Sequence, residues 1–463
     1  MAELTRETFT AINPATEDVL ATLAGHSAEE IDSILDRAVA AQRAWRQVPV
    51  AQRAAKLLDV ARVLREGKTE YAALISDEMG KPITEALAEV EKCAVTAEYY
   101  AENAPKYLAP EDIESNAAQS GVVFEPLGTV LAIMPWNYPF WQFFRFAAPA
   151  LAAGNATILK HAANVPQSAV AVADILEKAG FDRGLFASLL ISSRSVAAII
   201  ADERIAAVTL TGSTEVGAIV ASQAGAVLKK QVLELGGSDP YLVLADADVE
   251  KAAEVAVKAR FTNNGQSCVN SKRFIVHEDI ADQFVASFVA RVEALVVGDP
   301  RQPATQLGPM ARANLRDELH AQVEATVAAG ATVRTGGHKI QGKGYFYAPT
   351  VLDHVEPGHT AFDEETFGPV AAVIRVSSNE QAIALANQTE YGLAATIWSQ
   401  DLDTARAVAS QIDAGAVFIN GMVASDPRLP FGGIKRSGYG RELGKYGIRE
   451  FTNMKTLWVG PAK

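Results

Sequence analysis

Cys268 is one of two cysteines in the chain, the other being Cys93. It ends the stretch Phe261-Thr-Asn-Asn-Gly-Gln-Ser-Cys268, a Gly/Asn-rich turn, and it precedes the alternating run Lys272-Arg-Phe-Ile-Val-His277, which reads as a strand. A thiol on such a turn, partly exposed and near backbone N–H groups, is placed to act as a thiolate nucleophile. A lone cysteine is also commonly a small core residue, and Cys93, inside a helical run with an alanine neighbour, is expected to be one. Asn137, in Pro135-Trp-Asn-Tyr-Pro139, follows a strand in a turn stiffened by two prolines. Its amide is suited to donate to a developing oxyanion, or simply to cap the turn. Glu234, followed closely by Gly236 and Gly237, is either a surface carboxylate or a general base that readies water near the thiol. Thr211-Gly-Ser-Thr-Glu-Val-Gly217 lies between a strand and a helix. Such a junction offers N–H groups and the positive end of the helix dipole to an anion such as a pyrophosphate, and it is equally an ordinary helix start.

These residues need a scaffold, and the pattern supplies one. Strand and helix alternate: strands at 156–159, 189–191 and 206–210, and helices at 165–179 and 213–224. After a turn-rich break near residue 236 a second alternation follows, with strands at 241–244, 273–276, 370–376, 394–398 and 417–420 and helices at 249–260, 280–296 and 315–329. The expected class is α/β, with parallel, doubly wound sheets. Residues 1–26 read as turns, and Ser27-Ala-Glu-Glu30 as a capping box that opens the first of several helices.

Composition narrows the partners. The chain has 463 residues, enough for two or three domains, with 49% hydrophobic and 21% charged residues and a net charge of −13. No basic run invites nucleic acid, and no stretch approaches the ~20 apolar residues of a membrane span. Two cysteines and a polar, acidic N-terminus lead to an expected cytoplasmic location with no disulfide framework. No metal site is expected.

Six segments together resemble the NAD(P)-dependent aldehyde dehydrogenase superfamily: Pro135–Pro139, Thr211–Gly217, Leu233-Glu-Leu-Gly-Gly-Ser238, Asn264-Gly-Gln-Ser-Cys268, Glu365-Thr-Phe-Gly-Pro369 and Pro430-Phe-Gly-Gly433. The resemblance covers nearly the whole chain. It implies two doubly wound parallel-sheet domains and a small β oligomerisation arm. The cofactor-binding domain would be 1–106 with 127–236, the catalytic domain 237–446, and the arm 107–126 with 447–463. It implies Cys268 as nucleophile, Asn137 as oxyanion donor and Glu234 as the base for hydrolysis of a thioester formed through a thiohemiacetal. For the cofactor it implies Trp136, Lys160, Gly212, Ser213, Glu365 and Phe367. Through the arm it implies a homodimer or homotetramer.

The likeness is strongest to the bacterial succinate-semialdehyde dehydrogenase branch, through Leu159-Lys-His-Ala162, Gly421-Met-Val-Ala-Ser425 and Gly432-Gly-Ile-Lys-Arg-Ser-Gly438. The implied substrate is a small aldehyde carrying a carboxylate. Arg145 would bind that carboxylate with help from Ser425, and Trp141 and Ser267 would line the pocket. The alternatives are glutarate semialdehyde, a broad range of aldehydes, or a non-catalytic nicotinamide-binding protein. Some relatives place a second arginine where this chain has Thr262, and a second cysteine where it has Asn270, so a redox disulfide is not expected. Ala163 stands where NAD-specific members often carry a glutamate that repels a 2′-phosphate. NADP or NAD is therefore expected, with NADP favoured. His161 is expected to be structural.

Overall fold

The computed structural model describes residues 7–460. Two sheets organise the chain. The first has the order Gly438–Tyr439, Lys230–Glu234, Ile205–Thr211, Thr129–Met134, Ala156–His161, Phe186–Ser188, all parallel except the first pair. The second has the order Thr332–Thr335, Thr350–Asp353, Val370–Val376, Ser271–His277, Asp239–Val243, Ala394–Trp398, Ala416–Ile419, with only the Thr332–Thr335 edge antiparallel. Their central strands are buried on both faces, which is why they read as near-continuous apolar runs instead of alternating ones. A third, antiparallel sheet joins Thr452–Val459, Gln119–Pro126 and Glu111–Asp112. Among the described residues, no helix is long and apolar enough to cross a membrane.

Several local expectations shift. Residues 8–24 form a hairpin, Thr8–Ile12 with Val19–Ala24, where only turns are expected. Leu189–Ile191 is not a strand; the pairing ends at Ser188. The strands on either side of Leu127-Gly128 go to different sheets. Gln119–Pro126 goes to the small sheet and Thr129–Met134 to the centre of the first sheet. The stretch expected to be catalytic up to residue 446 also does not stay on the second sheet. Gly438–Tyr439 pairs with Leu233 and Glu234, and the following helix Gly444–Glu450 contacts the helices Ile83–Tyr107 and Trp141–Ala153.

The helix Trp141–Ala153, buried along its whole length, carries several candidate residues. Its N-terminal N–H groups at Phe140 and Trp141 donate to Glu89, itself paired with Lys81. That places a carboxylate at the positive end of the helix dipole. At the other end, Arg53 donates to the carbonyls of Ala152 and Ala153 and to Val48, Gln42 donates to Gly154, and Trp45 to Leu151. These bonds satisfy the orphan carbonyls of a buried helix end. The variant Arg53→Met keeps the volume but strips three carbonyls of their donor. Urea unfolding is expected to show a loss of about 3 kcal/mol or more; a change below about 1 kcal/mol contradicts this account of the helix.

Candidate active site

The turn that presents the thiol begins where the helix Val249–Phe261 stops. Asn263, Asn264 and Gly265 then adopt φ of 57°, 56° and 72° in succession. Asparagine tolerates this left-handed region because its short amide can bond locally. Asn263 donates to the carbonyls of Asn137 and Gln266. Asn264 donates to Gly80 and Pro309 and accepts from Gly308. At Gly265 a Cβ would fall 2.4 Å from the Gly368 backbone, so no larger residue fits. Arg260, fully buried, donates to Gly265, Thr366, Gly368 and Val370, and so ties this turn to the Glu365–Pro369 loop.

Cys268 is half-buried and lines a cavity of about 250 Å³ with Pro135, Trp136, Asn137, Gln142, Gly212 and Ser213 on the first-sheet side. Arg312, Leu315, Glu365 and Phe367 complete it from the other side. Trp136 and Phe367 meet edge to face, 5.8 Å between ring centroids. The Asn137 amide is oriented at both ends: its Nδ2 donates to Gln266 at 2.9 Å and its Oδ1 accepts from Gln142 at 3.2 Å. One Nδ2 hydrogen remains for a ligand. Burial pushes the Cys268 thiol up to about 12, against the pull of Lys272 and Arg145. The expected thiolate is therefore not the resting form, because desolvation outweighs the nearby cations.

Glu234 does not line this cavity in the structure. Its carboxyl lies against Gly432, where a Cβ would come within 2.6 Å of Oε1. Burial, followed by the neighbouring Glu442, holds it well above the carboxylate range. The expectation that it sits beside the thiol is not met in this state. The Arg145 and Arg441 charges oppose that upward shift, and the bare Gly432 leaves the carboxyl room.

Arg145 also departs from expectation. Its guanidinium is buried, ion-paired with Glu442, bonded to Thr211 at 3.3 Å and stacked 4.8 Å over Phe431. A buried guanidinium needs a matched counter-charge, and Glu442 provides it inside the protein. Ser425 likewise accepts from Lys92, at 2.6 Å. Trp141 is buried, with Lys92 Nζ 4.3 Å above its ring. Ser267 is buried and bonds Tyr138.

On the cofactor side, Ser213 caps the helix Thr214–Ala226 and accepts from Val216. Gly212 faces open space, where a Cβ would meet nothing closer than Leu210 at 3.8 Å. Glu365 accepts from Gly237 at 3.1 Å and pairs with Lys272 at 3.2 Å. Lys160 is half-buried and has no acidic partner within ion-pair distance among the described residues, and burial lowers its ammonium. Ala163 lines a hollow of about 420 Å³ with Asn164, Ser192 and Arg312, and Arg312 also reaches the Cys268 cavity. The helix N–H groups, the Arg312 cation shared by the two cavities and the unobstructed approach at Gly212 fit a nicotinamide dinucleotide.

His161 takes the structural part expected of it. Its Nδ1 accepts from Ala162 N–H, so the proton sits on Nε2, which donates to the Pro139 carbonyl at 2.9 Å. Burial lowers the ring to about 4. Asn270 donates to Arg260 and Thr262, which leaves no thiol at that position.

Sequence reasoning missed Gln142, Lys272, Arg312, Glu442 and Lys92. Lys272 donates to the carbonyls of Ser267 and Cys268 and holds the nucleophile's backbone. Only Gln142 had a local signal, lying in the first turn of the helix that follows Asn137.

The aldehyde dehydrogenase family model matches residues 2–457. A Synechocystis protein named probable succinate-semialdehyde dehydrogenase (NADP+) is 50% identical over 448 residues, 97% of this chain and 99% of that one. The Escherichia coli succinate semialdehyde dehydrogenase (NAD(P)+) Sad is 49% identical over 447 residues, 96% and 97% of the two chains. Among solved structures, the succinic semialdehyde dehydrogenase of Streptococcus pyogenes in complex with NADP+ superposes with a TM-score of 0.96 at 38% identity, covering 98% of this chain and 100% of that one.

A thiol raised to about 12 gives a direct expectation. Inactivation of the free enzyme by iodoacetamide should accelerate about tenfold per pH unit from 7 to 10, because only the thiolate reacts. A plateau below pH 8 contradicts the buried, protonated resting thiol.

Proposed function

Because this chain belongs to the aldehyde dehydrogenase family, we propose that it oxidises succinate semialdehyde to succinate, with NADP or NAD receiving the hydride. The observation that carries this reading is the single cavity in which Cys268, Asn137, Ser213, Glu365 and the Trp136–Phe367 pair converge. The relatives named for succinate semialdehyde and NADP supply the substrate and cofactor class.

In the proposed mechanism, Cys268 gives its proton up to solvent water and its Sγ attacks the aldehyde carbon. The carbonyl oxygen becomes an oxyanion that accepts from Asn137 Nδ2, with the Cys268 backbone N–H as second donor. A donor of this kind is worth about 3–4 kcal/mol of barrier. A bound nicotinamide dinucleotide would supply the acceptor for the hydride leaving that carbon, and Cys268 would then carry the acyl group as a thioester. Deprotonated Glu234 swings from Gly432 toward the thioester and takes a proton from water, whose oxygen adds to the acyl carbon; the C–S bond then breaks, the acid is released, and Cys268 leaves as the thiolate and takes a proton back. The raised Glu234 carboxyl must first be deprotonated, so hydrolysis gains as pH rises. Gln142 and Lys272 act at one remove, on the Asn137 amide and the Cys268 backbone.

For the cofactor, Ser213, Gly212 and the first turn of Thr214–Ala226 would hold the pyrophosphate, Glu365 the nicotinamide ribose, and Trp136 and Phe367 the walls of the ring site. Lys160 reaches the adenosine ribose. The absence of a carboxylate at Ala163 leaves room for a 2′-phosphate, which favours NADP. Trp141 and Ser267 would wall the aldehyde end, where Arg145 would add positive potential.

We assign the first sheet with its helices to cofactor binding, the second to catalysis, and the third to an oligomerisation arm. The arm's edge strand Thr452–Val459 exposes Met454, Leu457, Trp458 and Val459. An exposed apolar edge strand is normally covered by a partner, which supports a homodimer or homotetramer. The two free cysteines suit a cytoplasmic setting.

The test is a panel of succinate semialdehyde, glutarate semialdehyde and butanal, each with NADP and with NAD. The reading expects kcat/KM to be highest for succinate semialdehyde with NADP, by at least about tenfold over butanal, as a paired carboxylate requires. Equal rates across the three aldehydes would instead indicate a broad-range enzyme.

A further inference from the structure

The Arg145 guanidinium is engaged by Glu442 through Nε and by Thr211 through Nη2, and the carboxylate end of the substrate has room for a second cation. A second hollow, of about 160 Å³, lies under the start of the buried helix. Its walls include Lys92, Trp141, Tyr138, Thr262, Glu85 and Glu89. Tyr138 bonds Ser267, the residue before the nucleophile, so the hollow adjoins the reacting thiol.

Lys92 is the only cation on these walls. Its ammonium donates to Ser425 Oγ at 2.6 Å and sits 4.3 Å from the Trp141 ring centroid. Among the described residues it has no carboxylate within ion-pair distance, so two of its three N–H donors are left for a ligand. The two acidic residues beside it are already engaged. Glu89 is taken by Lys81 and by the N–H groups of Phe140 and Trp141. Glu85 accepts from Asn263, and burial pushes it up to about 7, which halves its charge near neutrality.

We propose that Lys92, steadied by Ser425 and Trp141, receives the distal carboxylate of the substrate and sets the preference for an aldehyde with a carboxylate at its far end. This rests on the substrate reading above and adds Lys92 to Arg145 as a second cation at that end. Burial, then the nearby Arg145, lowers the Lys92 ammonium to about 8. An incoming carboxylate relieves both penalties, whereas a neutral aldehyde leaves a desolvated cation unpaired. The same chemistry explains why Thr262 suffices where some relatives carry a second arginine: the second cation here comes from the helix Ile83–Tyr107 instead.

The measurement is the ratio of kcat/KM for succinate semialdehyde over butanal, with NADP, in the wild type, Lys92→Met, Lys92→Arg and Ser425→Ala. The proposal expects Lys92→Met to lower the ratio about 100-fold, mainly through the KM for succinate semialdehyde. Lys92→Arg should recover most of that loss. Ser425→Ala should lower the ratio about tenfold, and it decides the matter if Lys92→Met does not fold. Equal losses on both aldehydes, or an unchanged ratio, overturn the role of Lys92. A wild type with no preference for succinate semialdehyde over butanal fails at an earlier step and removes the substrate reading itself.

Discussion

Three consecutive residues held in left-handed backbone, Asn263, Asn264 and Gly265, are the constraint on which the site depends. A non-glycine residue in this region costs about 1–2 kcal/mol. The cost is offset by eight hydrogen bonds from Asn263, Asn264 and Arg260 to backbone groups, several of them far away in sequence. The turn thus joins both sheets: Asn263 reaches Asn137 at the end of a first-sheet strand, and Arg260 reaches the loop before Val370 in the second. Relaxing it would move Cys268 relative to the amide that faces it.

Buried charge is the second theme. Arg260, Arg273, Lys81 and Lys272 are all inaccessible, yet each is matched by carbonyls or carboxylates. Such groups are costly when mispaired, so they enforce one arrangement of the two sheets more than they add net stability. The same low-dielectric setting raises Cys268 and Glu234 together. Burial thus shifts both groups toward their protonated forms.

Much of this was readable in the sequence because it was local. The β–α alternation followed from apolar runs and turn residues, and the cavity-lining set Trp136, Asn137, Ser213, Cys268, Glu365 and Phe367 came from motif resemblance. What escaped depended on long-range pairing. Gly438–Tyr439 looks like part of the second unit, but its partner Leu233–Glu234 lies on the first sheet. Arg145 was read as free because Glu442 is distant in the chain, and Lys92 was passed over because Ser425 and Trp141 only meet it in three dimensions. The thiol was read as ionised because a turn suggests exposure; its desolvation is visible only once the cavity walls are in place.

The most direct test of the central constraint is the single-turnover rate of NADPH formation in Gly265→Ala, alongside NADP binding and the melting temperature. A methyl group there meets the Gly368 backbone at 2.4 Å and a φ of +72° that alanine resists. The account predicts a folded protein that still binds NADP but forms NADPH at least about 100-fold more slowly, as displacement of a reacting group does. A rate within a few-fold of wild type would show that the left-handed turn does not position the thiol.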